Sequence, residues 1–265
     1  MRSQIFYKPF QQPFSVGPYA EDRNTTADRP AGRKRPPKRS DAMNYRHEWK
    51  HEISYEDLLT LRMRLSAVMQ SDSHAIGNKY EIRSLYFDTP SDRALREKID
   101  GVNYREKFRI RFYNRDPSFL SLEKKSKING LCAKESCAVS KEEAQKIADG
   151  DLAWMMESGR PLCRELYVKM RQQGLRPKTI VDYTREPFVY APGNVRVTMD
   201  YDLRTGVFPA EFLDPDTLTL PAGGAPVILE VKWDAYLPDI IRDAVCLPGR
   251  RVSAFSKYAQ CRIYG

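Results

Sequence analysis

The sequence feature that most constrains this chain is a run of alternating basic and apolar residues that begins at Arg105. The run reads R-E-K-F-R-I-R-F, so that Arg105, Lys107, Arg109 and Arg111 occupy every second position. Because successive side chains of a β-strand point to opposite faces, the pattern predicts one apolar face and one face with four like charges. Such a row repels itself unless water or an anion neutralises it. The run therefore favours a polyanion site, with a solvated outer face as the alternative.

Composition is that of a soluble globular protein with a real core. The chain has 265 residues, of which 41% are hydrophobic and 30% charged. No apolar run approaches the roughly 18 residues that a membrane helix needs, and the first 20 residues lack the apolar segment of a signal peptide. The five cysteines are scattered and lack the spacing of a zinc site. We therefore expect a cytoplasmic protein with structural thiols.

The net charge of +9 is unevenly distributed. Residues 1–41 hold 9 basic and 4 acidic residues, and residues 83–134 hold 13 basic and 7 acidic residues. We expect residues 1–42 to be a disordered Pro- and Arg-rich tail, because R-P-A-G-R-K-R-P-P-K-R-S lacks apolar periodicity. A tail without a specific role is favoured over one that binds nucleic acid or acidic lipid. Met43 is an alternative start of the mature protein.

Residues 43–265 alternate between strand-like and helix-like segments. Ser54 is predicted to cap a helix that runs to about Gln70, and Ser140-x-x-Glu143 has the pattern of a capping box. A weak strand is predicted near 207–213 and a last helix over 253–264. The pattern gives an α+β fold with about eight strands, mostly antiparallel. Alternation of charged and apolar residues predicts a closed antiparallel β-tunnel with helices packed outside and a polar interior.

Charged residues recur on one face of several predicted strands. The clearest case is V-I-L-E-V-K-W, where Glu230 and Lys232 interrupt an apolar run that normally marks a buried strand. Each charge taken singly is a solvated surface group more often than a ligand. Taken together, basic groups and a few carboxylates suit a metal–polyphosphate site, in which Lys and Arg neutralise phosphate oxygens and carboxylates hold a divalent cation. The sequence has no P-loop and no dinucleotide fingerprint.

An ordered set of motifs resembles the VTC domain, the catalytic domain of eukaryotic polyphosphate polymerase, in the CYTH-like triphosphate tunnel superfamily. The motifs, over residues 44–264, are R-H-E-W-K-H-E-I-S, S-L-Y-F-D-T, A-L-R-E-K-I-D-G-V-N, R-E-K-F-R-I-R-F-Y-N, L-E-K-K-S-K, V-D-Y-T-R-E-P-F, V-R-V-T-M-D and L-E-V-K-W. The resemblance implies transfer of the ATP γ-phosphate to a growing polyphosphate chain with Mn²⁺ or Mg²⁺. A polymerase that exports its product would need a separate membrane protein as partner, and nucleic acid is not an expected partner.

The resemblance further implies roles for individual residues. Those expected to act on the transferred phosphate are Arg109, Arg111, Lys125, Arg185 and Arg196. Those expected to bind other phosphates are Lys50, Arg83, Lys98, Lys107, Lys134, Lys232 and Lys257. Glu230 is the expected metal ligand, and Glu48 and Glu123 are further candidates for the tunnel lining.

The sequence departs from the family pattern at two places. Ala254 stands where the eukaryotic pattern has a lysine three residues before Lys257, and the first strand reads H-E-W-K instead of E-x-E-x-K. The first departure weakens the expectation for polymer binding, and the second argues against adenylate cyclase or thiamine triphosphatase activity. Two alternatives therefore stay open beside the polymerase: a metal-dependent hydrolase of triphosphate or short polyphosphate, and a non-catalytic polyanion-binding module.

Overall fold

The computed structural model describes residues 46–129, 131–250 and 252–263. The tail expected at residues 1–42 and the alternative start at Met43 lie outside the described residues, as does Gly130 of the predicted Asn129-Gly130 turn.

One curled antiparallel sheet forms the body of the described chain. Its strands are β1 (His47–Ile53), β2 (Gln70–Ser71), β3 (Tyr80–Asp88), β4 (Tyr104–Tyr113), β5 (Asp116–Ile128), β6 (Leu131–Val139), β7 (Arg176–Tyr190), β8 (Val195–Gly206), β9 (Thr219–Pro221) and β10 (Val227–Trp233). The order is β1-β10-β8-β7-β3-β4-β5-β6, with β2 beside β7 and β9 beside β8. The α+β tunnel prediction is confirmed, and the two strands beyond the expected eight are short.

Six helices accompany the sheet in the described residues. They are α1 (Tyr55–Val68), α2 (Arg93–Ile99), α3 (Lys141–Asp149), α4 (Pro161–Gln173), α5 (Asp239–Val245) and α6 (Lys257–Cys261). Both predicted caps are confirmed: the Ser54 hydroxyl accepts the Asp57 N–H at 3.2 Å, and the Ser140 hydroxyl accepts the Glu143 N–H at 3.1 Å. These bonds satisfy amide groups that the first turn leaves without partners. None of the described helices has the length and apolarity to cross a bilayer.

Alternation along the strands separates an apolar outer face from a charged inner face. On β4, Phe108, Ile110 and Phe112 join the core under α3 and α4. On β10, Leu229 and Val231 join a second core under α1 and α5. The basic residues of β4, and Glu230 with Lys232 on β10, take the alternate positions and face the interior of the curled sheet.

The C-terminal segment pairs with the edge strand β1 and then turns inward. The Ser253 N–H donates to the Lys50 carbonyl at 2.8 Å, and His51 forms a β-bridge with Val252. Helix α6 then packs on the inner face, where Cys261 lies in an apolar cluster with Tyr183 and Leu203. It is shorter than the predicted helix over 253–264, and it is one helix that does not pack outside.

The strand predicted near 207–213 is wrong. Pro209–Glu211 forms a single 3₁₀ turn, and Phe212 and Leu213 are buried in the core under α3 and α4. The apolar residues that suggested a strand therefore anchor the loop to the core. Their spacing does not follow the two-residue period of a strand.

Candidate functional site

The inner faces of the strands bring most of the predicted site residues together in one lumen. Seven strands contribute to this tunnel lumen, namely β1, β4, β5, β6, β7, β8 and β10. The predicted residues that they place there are Lys50, Lys107, Arg109, Arg111, Lys125, Lys134, Arg185, Arg196, Glu230 and Lys232. Lys257 enters the lumen from α6. Cations outnumber carboxylates there, which is the charge balance that a polyanion needs.

Arg109 is held by a carboxylate on the neighbouring strand. Its Nε and Nη2 donate to Oε2 of Glu123 at 2.7 and 2.5 Å, and Lys134 Nζ lies 2.7 Å from Oε1 of the same carboxylate. Both Arg109 and Glu123 are buried. Burial alone would raise the pKa of Glu123, but the charges of Arg109 and other nearby cations hold it far below its ordinary value. Glu123 therefore stays ionised and fixes the direction of Arg109.

Two tyrosines and a serine orient the remaining guanidinium nitrogens. Arg109 Nη1 donates to the Tyr86 hydroxyl at 2.8 Å, and Arg111 Nη2 donates to the Tyr183 hydroxyl at 3.0 Å. Arg111 Nε donates to the Ser84 hydroxyl at 3.1 Å. Because neutral hydroxyls accept these bonds, Arg111 keeps its positive charge uncompensated within its hydrogen-bond shell. The positive charge of Arg111 affects the pKa of Tyr183. Burial would raise this pKa, but Arg111 and neighbouring cations lower it below the usual value.

Glu230 is the carboxylate at the centre of the β1–β10 wall. Lys232 forms an ion pair with it, and Lys50 Nζ and Arg185 Nη2 each lie 3.8 Å from its oxygens. Burial alone would raise the pKa of Glu230, but Lys232 and Lys50 hold it well below the ordinary value. Glu48, directly beside Lys50 on the same face, also pairs with Lys50.

Asp200 on β8 links the wall to the C-terminal helix. Arg185 makes a two-pronged contact with it at 2.6 and 2.7 Å, and Lys257 Nζ lies 2.5 Å from Oδ2. Burial alone would raise the pKa of Asp200, but Arg185 and Lys257 lower it to about 2. Lys257 also lies 4.7 Å from the centre of the Tyr183 ring.

Lys107 and Lys125 are cations without an acidic partner among the described residues. Lys107 Nζ bonds the Ser256 hydroxyl at 3.3 Å and lies 5.2 Å from the Tyr258 ring centre. Burial, then the charge of Lys98, lowers the pKa of Lys107 to about 8. The charge of Arg109, then enclosure by the tunnel, lowers the pKa of Lys125 well below the ordinary value. The Lys125 side chain is nevertheless exposed to solvent, so it faces an open lumen and not a packed core.

The electrostatic surroundings of Lys125 include residues from the opposite wall of the lumen. The charges of Lys232 and Glu230 on β10 act on Lys125 of β5, although these strands are not neighbours in the sheet order. A ligand between the two walls would therefore contact cations from both.

Two predicted residues lie at the periphery. Lys98 stands in the last turn of α2, where burial and then the charges of Arg105 and Lys127 lower its pKa. These three cations mark one mouth of the lumen. Arg196 shares the inner face of β8, but its Nη2 pairs at 2.9 Å with Asp72, which follows β2.

Arg83 lies outside the lumen, which corrects the prediction that it lines the tunnel. Its guanidinium binds both carboxylate oxygens of Asp182, with contacts of 2.8 to 3.2 Å, and also donates to the Asp214 carbonyl. Ser84 and Tyr86 take the inner face of β3, so Arg83 falls on the outer face beside Leu85. Its ion pair with Asp182 is a structural contact of that outer wall.

The lumen has too few carboxylates to hold a divalent cation without a bound phosphate ligand. No group of three or more His, Cys, Asp or Glu side chains that could hold a metal occurs within the described ranges. Mg²⁺ commonly uses one or two carboxylates and completes its shell with water and substrate phosphates. Lys50 pairs with Glu48 and lies 3.8 Å from Glu230, so the two carboxylates face the same cation. The pair fits such a shared site, and not a site made by protein alone.

Sequence reasoning did not identify the tyrosine hydroxyls that accept from Arg109 and Arg111. The available signal was period two: Tyr183 precedes Arg185 by two residues and therefore shares its face. Tyr258 had no comparable signal, because α6 reaches the lumen only through the fold.

The fold and the lumen define a class of protein: an antiparallel β-tunnel whose interior presents ordered cations and a few ionised carboxylates. The particular family follows from a family model, the VTC domain, which matches residues 45–263. The chain belongs to the VTC domain family. Together with the lumen, this membership supports a triphosphate-binding tunnel enzyme.

Comparison with individual proteins adds little to this assignment. None of the curated proteins compared with the chain matches it. Among solved structures, the PH1819 protein from Pyrococcus horikoshii is 14% identical with a TM-score of 0.39, over 76% of this chain and 84% of that chain. The Mimivirus capping enzyme triphosphatase is 8% identical with a TM-score of 0.35, over 77% and 87%. Both likenesses are too weak to indicate a function.

Proposed function

We propose that this protein is a polyphosphate polymerase that transfers the γ-phosphate of ATP to a growing polyphosphate chain inside the tunnel. The observation that carries the proposal is the pair Lys107 and Lys125, two lysines of the lumen without a carboxylate partner in the described chain. Neighbouring cations act on both lysines, and such like charges repel each other in the lumen unless an anion neutralises them during function. A linear chain of phosphates, with one charge or more per unit, suits cations spread along a tunnel.

The lumen residues divide into fixed and free cations. Arg109 and Arg185 are aimed by Glu123 and Asp200, and therefore present their remaining N–H groups in set directions. Lys107 and Lys125 offer unshared charge. Phosphoryl transfer needs positioning and charge neutralisation more than covalent work by the protein, and preset donors act without the cost of reorganisation.

In this proposal Arg109, Arg111 and Lys125 bind the phosphate that is transferred. Arg185 and Arg196 bind the phosphates on the β7–β8 side, and Lys107, Lys98 and Lys257 bind the chain toward the mouth. These roles rest on placement in the lumen and on the family resemblance. The peripheral pair of Arg196 with Asp72 makes its role the least direct of the set.

The proposed metal ligand is Glu230, with Glu48 beside it. A bound Mn²⁺ or Mg²⁺ would supply further neutralisation of phosphate oxygens. Lys50 and Lys232 already neutralise the charge of Glu230, so a metal ion that binds Glu230 competes with these two lysines. Phosphates that bind the lysines would remove this competition. The proposal therefore expects metal and nucleotide to bind together more tightly than either alone.

The test is to incubate purified protein with ATP and Mn²⁺ and to separate the products by length on a gel. The proposed function gives a ladder of long chains, which the Arg109→Ala variant fails to make. Free phosphate or pyrophosphate without chains would instead support a hydrolase on the same fold. Absence of turnover with tight, salt-sensitive binding of added polyphosphate would support a binding module.

A further inference from the structure

Two cysteines meet on the outer side of the tunnel wall, away from the lumen. Cys137 lies on the outer face of β6 and Cys163 in the first turn of α4, and their sulfur atoms are 3.7 Å apart. Cys163 is buried and Cys137 is half-buried. The two other cysteines with substantial exposure, Cys132 and Cys246, have no thiol contact in the structure.

The surroundings of Cys163 favour its thiolate form. It is the third residue of a 13-residue helix, where the unpaired N–H groups carry partial positive charge. The Arg160 guanidinium is anchored nearby, since it donates to the Ala138 carbonyl at 2.7 Å and to Glu143 at 2.9 Å. The hydrogen bond from Cys137, followed by the charge of Arg160, lowers the pKa of Cys163 to about 7.

The same contact leaves the proton on Cys137. The hydrogen bond to Cys163, together with burial, raises the pKa of the Cys137 thiol. The pair therefore combines a thiolate with a neighbouring thiol that has access to solvent. An S–S bond is about 2.05 Å long, so closure needs roughly 1.7 Å of approach between the two sulfur atoms.

We propose that Cys137 and Cys163 are a redox-sensitive pair that closes to a disulfide by exchange with a small disulfide such as oxidised glutathione. The Cys163 thiolate takes the proton of Cys137, the accessible thiol, as Cys137 attacks one sulfur of the glutathione disulfide and releases one glutathione thiolate. The released glutathione takes that proton from Cys163, and the Cys163 thiolate attacks the Cys137 sulfur in the mixed disulfide and releases the second glutathione. Two protein thiols are oxidised to one disulfide, and one glutathione disulfide is reduced to two glutathiones.

The bond would join α4 to the last strand of the sheet order. Strand β6 pairs only with β5 in the sheet path, and its inner face carries Lys134, which contacts Glu123 in the lumen. A disulfide from its outer face therefore restrains the strand that bounds the lumen at this edge. The inference does not depend on the proposed polymerase activity.

The test uses the full chain with Cys132→Ser and Cys246→Ser, which removes the exposed thiols that lack a partner. After incubation in a series of glutathione redox buffers, free thiols are alkylated and the digested protein is analysed by mass spectrometry. The expected result is a peptide that links Cys137 to Cys163, formed in preference to stable glutathione adducts, with slower amide exchange in β6.

A second variant separates the two chemical steps. With Cys163→Ala added, Cys137 should retain a glutathione adduct, because the resolving thiolate is absent. The proposal is overturned if the parent protein, folded by circular dichroism, gives only adducts or unmodified cysteines at both positions under oxidising buffer. It is equally overturned if Cys163→Ala and the parent accumulate the same amount of adduct.

Discussion

Arg109 and Glu123 face each other in register on β4 and β5, and two guanidinium nitrogens donate to a single oxygen of the carboxylate. Only 7% of the Arg109 side chain and 3% of the Glu123 side chain are accessible. A buried ion pair in this arrangement sets the direction of the arginine, and the Tyr86 hydroxyl takes a further donor. The lumen therefore presents Arg109 in one orientation before any ligand arrives.

Removal of the Glu123 carboxylate should destabilise the protein, because Arg109 is then buried without an ion-pair partner. We expect Glu123→Ala to lower the free energy of unfolding by about 3–5 kcal/mol, because one partner of a buried pair is left uncompensated. Urea denaturation measures this. The control is Asp216→Ala, which breaks the exposed pair with Arg115 and should cost less than about 1 kcal/mol. Equal effects of the two variants would contradict a structural role for the buried pair.

Glu230 should be required for metal-dependent activity. We expect Glu230→Gln to reduce the rate of chain formation by about 10²-fold or more and to raise the Mn²⁺ concentration for half-maximal rate, because a charged ligand to the metal is lost. Glu135→Gln is the matched control, since Glu135 pairs with Lys124 on the outer face. A normal Mn²⁺ titration of Glu230→Gln would remove Glu230 from the metal site.

Lys107 should make polyphosphate binding depend on pH. Its pKa of about 8 means that the charge is largely present at pH 7 and largely lost at pH 9. If the neutral form does not bind, affinity falls by about tenfold over this interval from Lys107 alone, with proton uptake on binding near pH 8. Titration calorimetry in buffers of different ionisation enthalpy measures both effects.

The Lys107→Arg variant isolates this contribution, because arginine stays charged throughout the interval. Its affinity should fall less steeply between pH 7 and 9 than that of the parent protein. Parallel curves for the two proteins would show that Lys107 does not titrate in the binding equilibrium.

Tyr258 should stabilise the inward position of the C-terminal helix. Its hydroxyl donates to Asp88 at 2.6 Å, and the same fully buried carboxylate accepts backbone N–H groups from Thr89, Ala94 and Leu95. We expect Tyr258→Phe to lower the free energy of unfolding by about 1–3 kcal/mol, because a buried acceptor loses a hydrogen-bond donor. Tyr236→Phe, at an exposed site, should be neutral in the same denaturation experiment. A neutral Tyr258→Phe would show that the bond does not contribute.

Periodicity was sufficient to predict the strands whose two faces differ clearly in polarity. From Lys107 to Phe112 in β4 and from Leu229 to Trp233 in β10, apolar and charged residues alternate, so the inner and outer faces could be assigned from sequence. Strand β3 has no such contrast: Tyr80, Ile82, Ser84 and Tyr86 line one face, and Glu81, Arg83, Leu85 and Phe87 the other. Neither face is clearly apolar or clearly charged, so the outward position of Arg83 depends on pairing with Asp182, which sequence spacing cannot show.

Long-range contacts explain what else the sequence did not predict. Helix α6 is five residues long, too short for a helical periodicity, and its inward position depends on Lys257 meeting Asp200 and Tyr258 meeting Asp88. Similarly, Cys137 and Cys163 are 26 positions apart and meet only because α4 packs on β6. These contacts are products of tertiary packing and not of local pattern.

The most direct test of the proposed activity follows the label of ATP into the product. Parallel reactions contain Mn²⁺ and ATP labelled at either the γ- or the α-phosphate, with the parent protein and the Arg109→Ala variant. The account predicts γ-label in long chains, no α-label in those chains, and no chains with Arg109→Ala. Label from γ-phosphate found only in free phosphate would contradict the polymerase and identify a hydrolase.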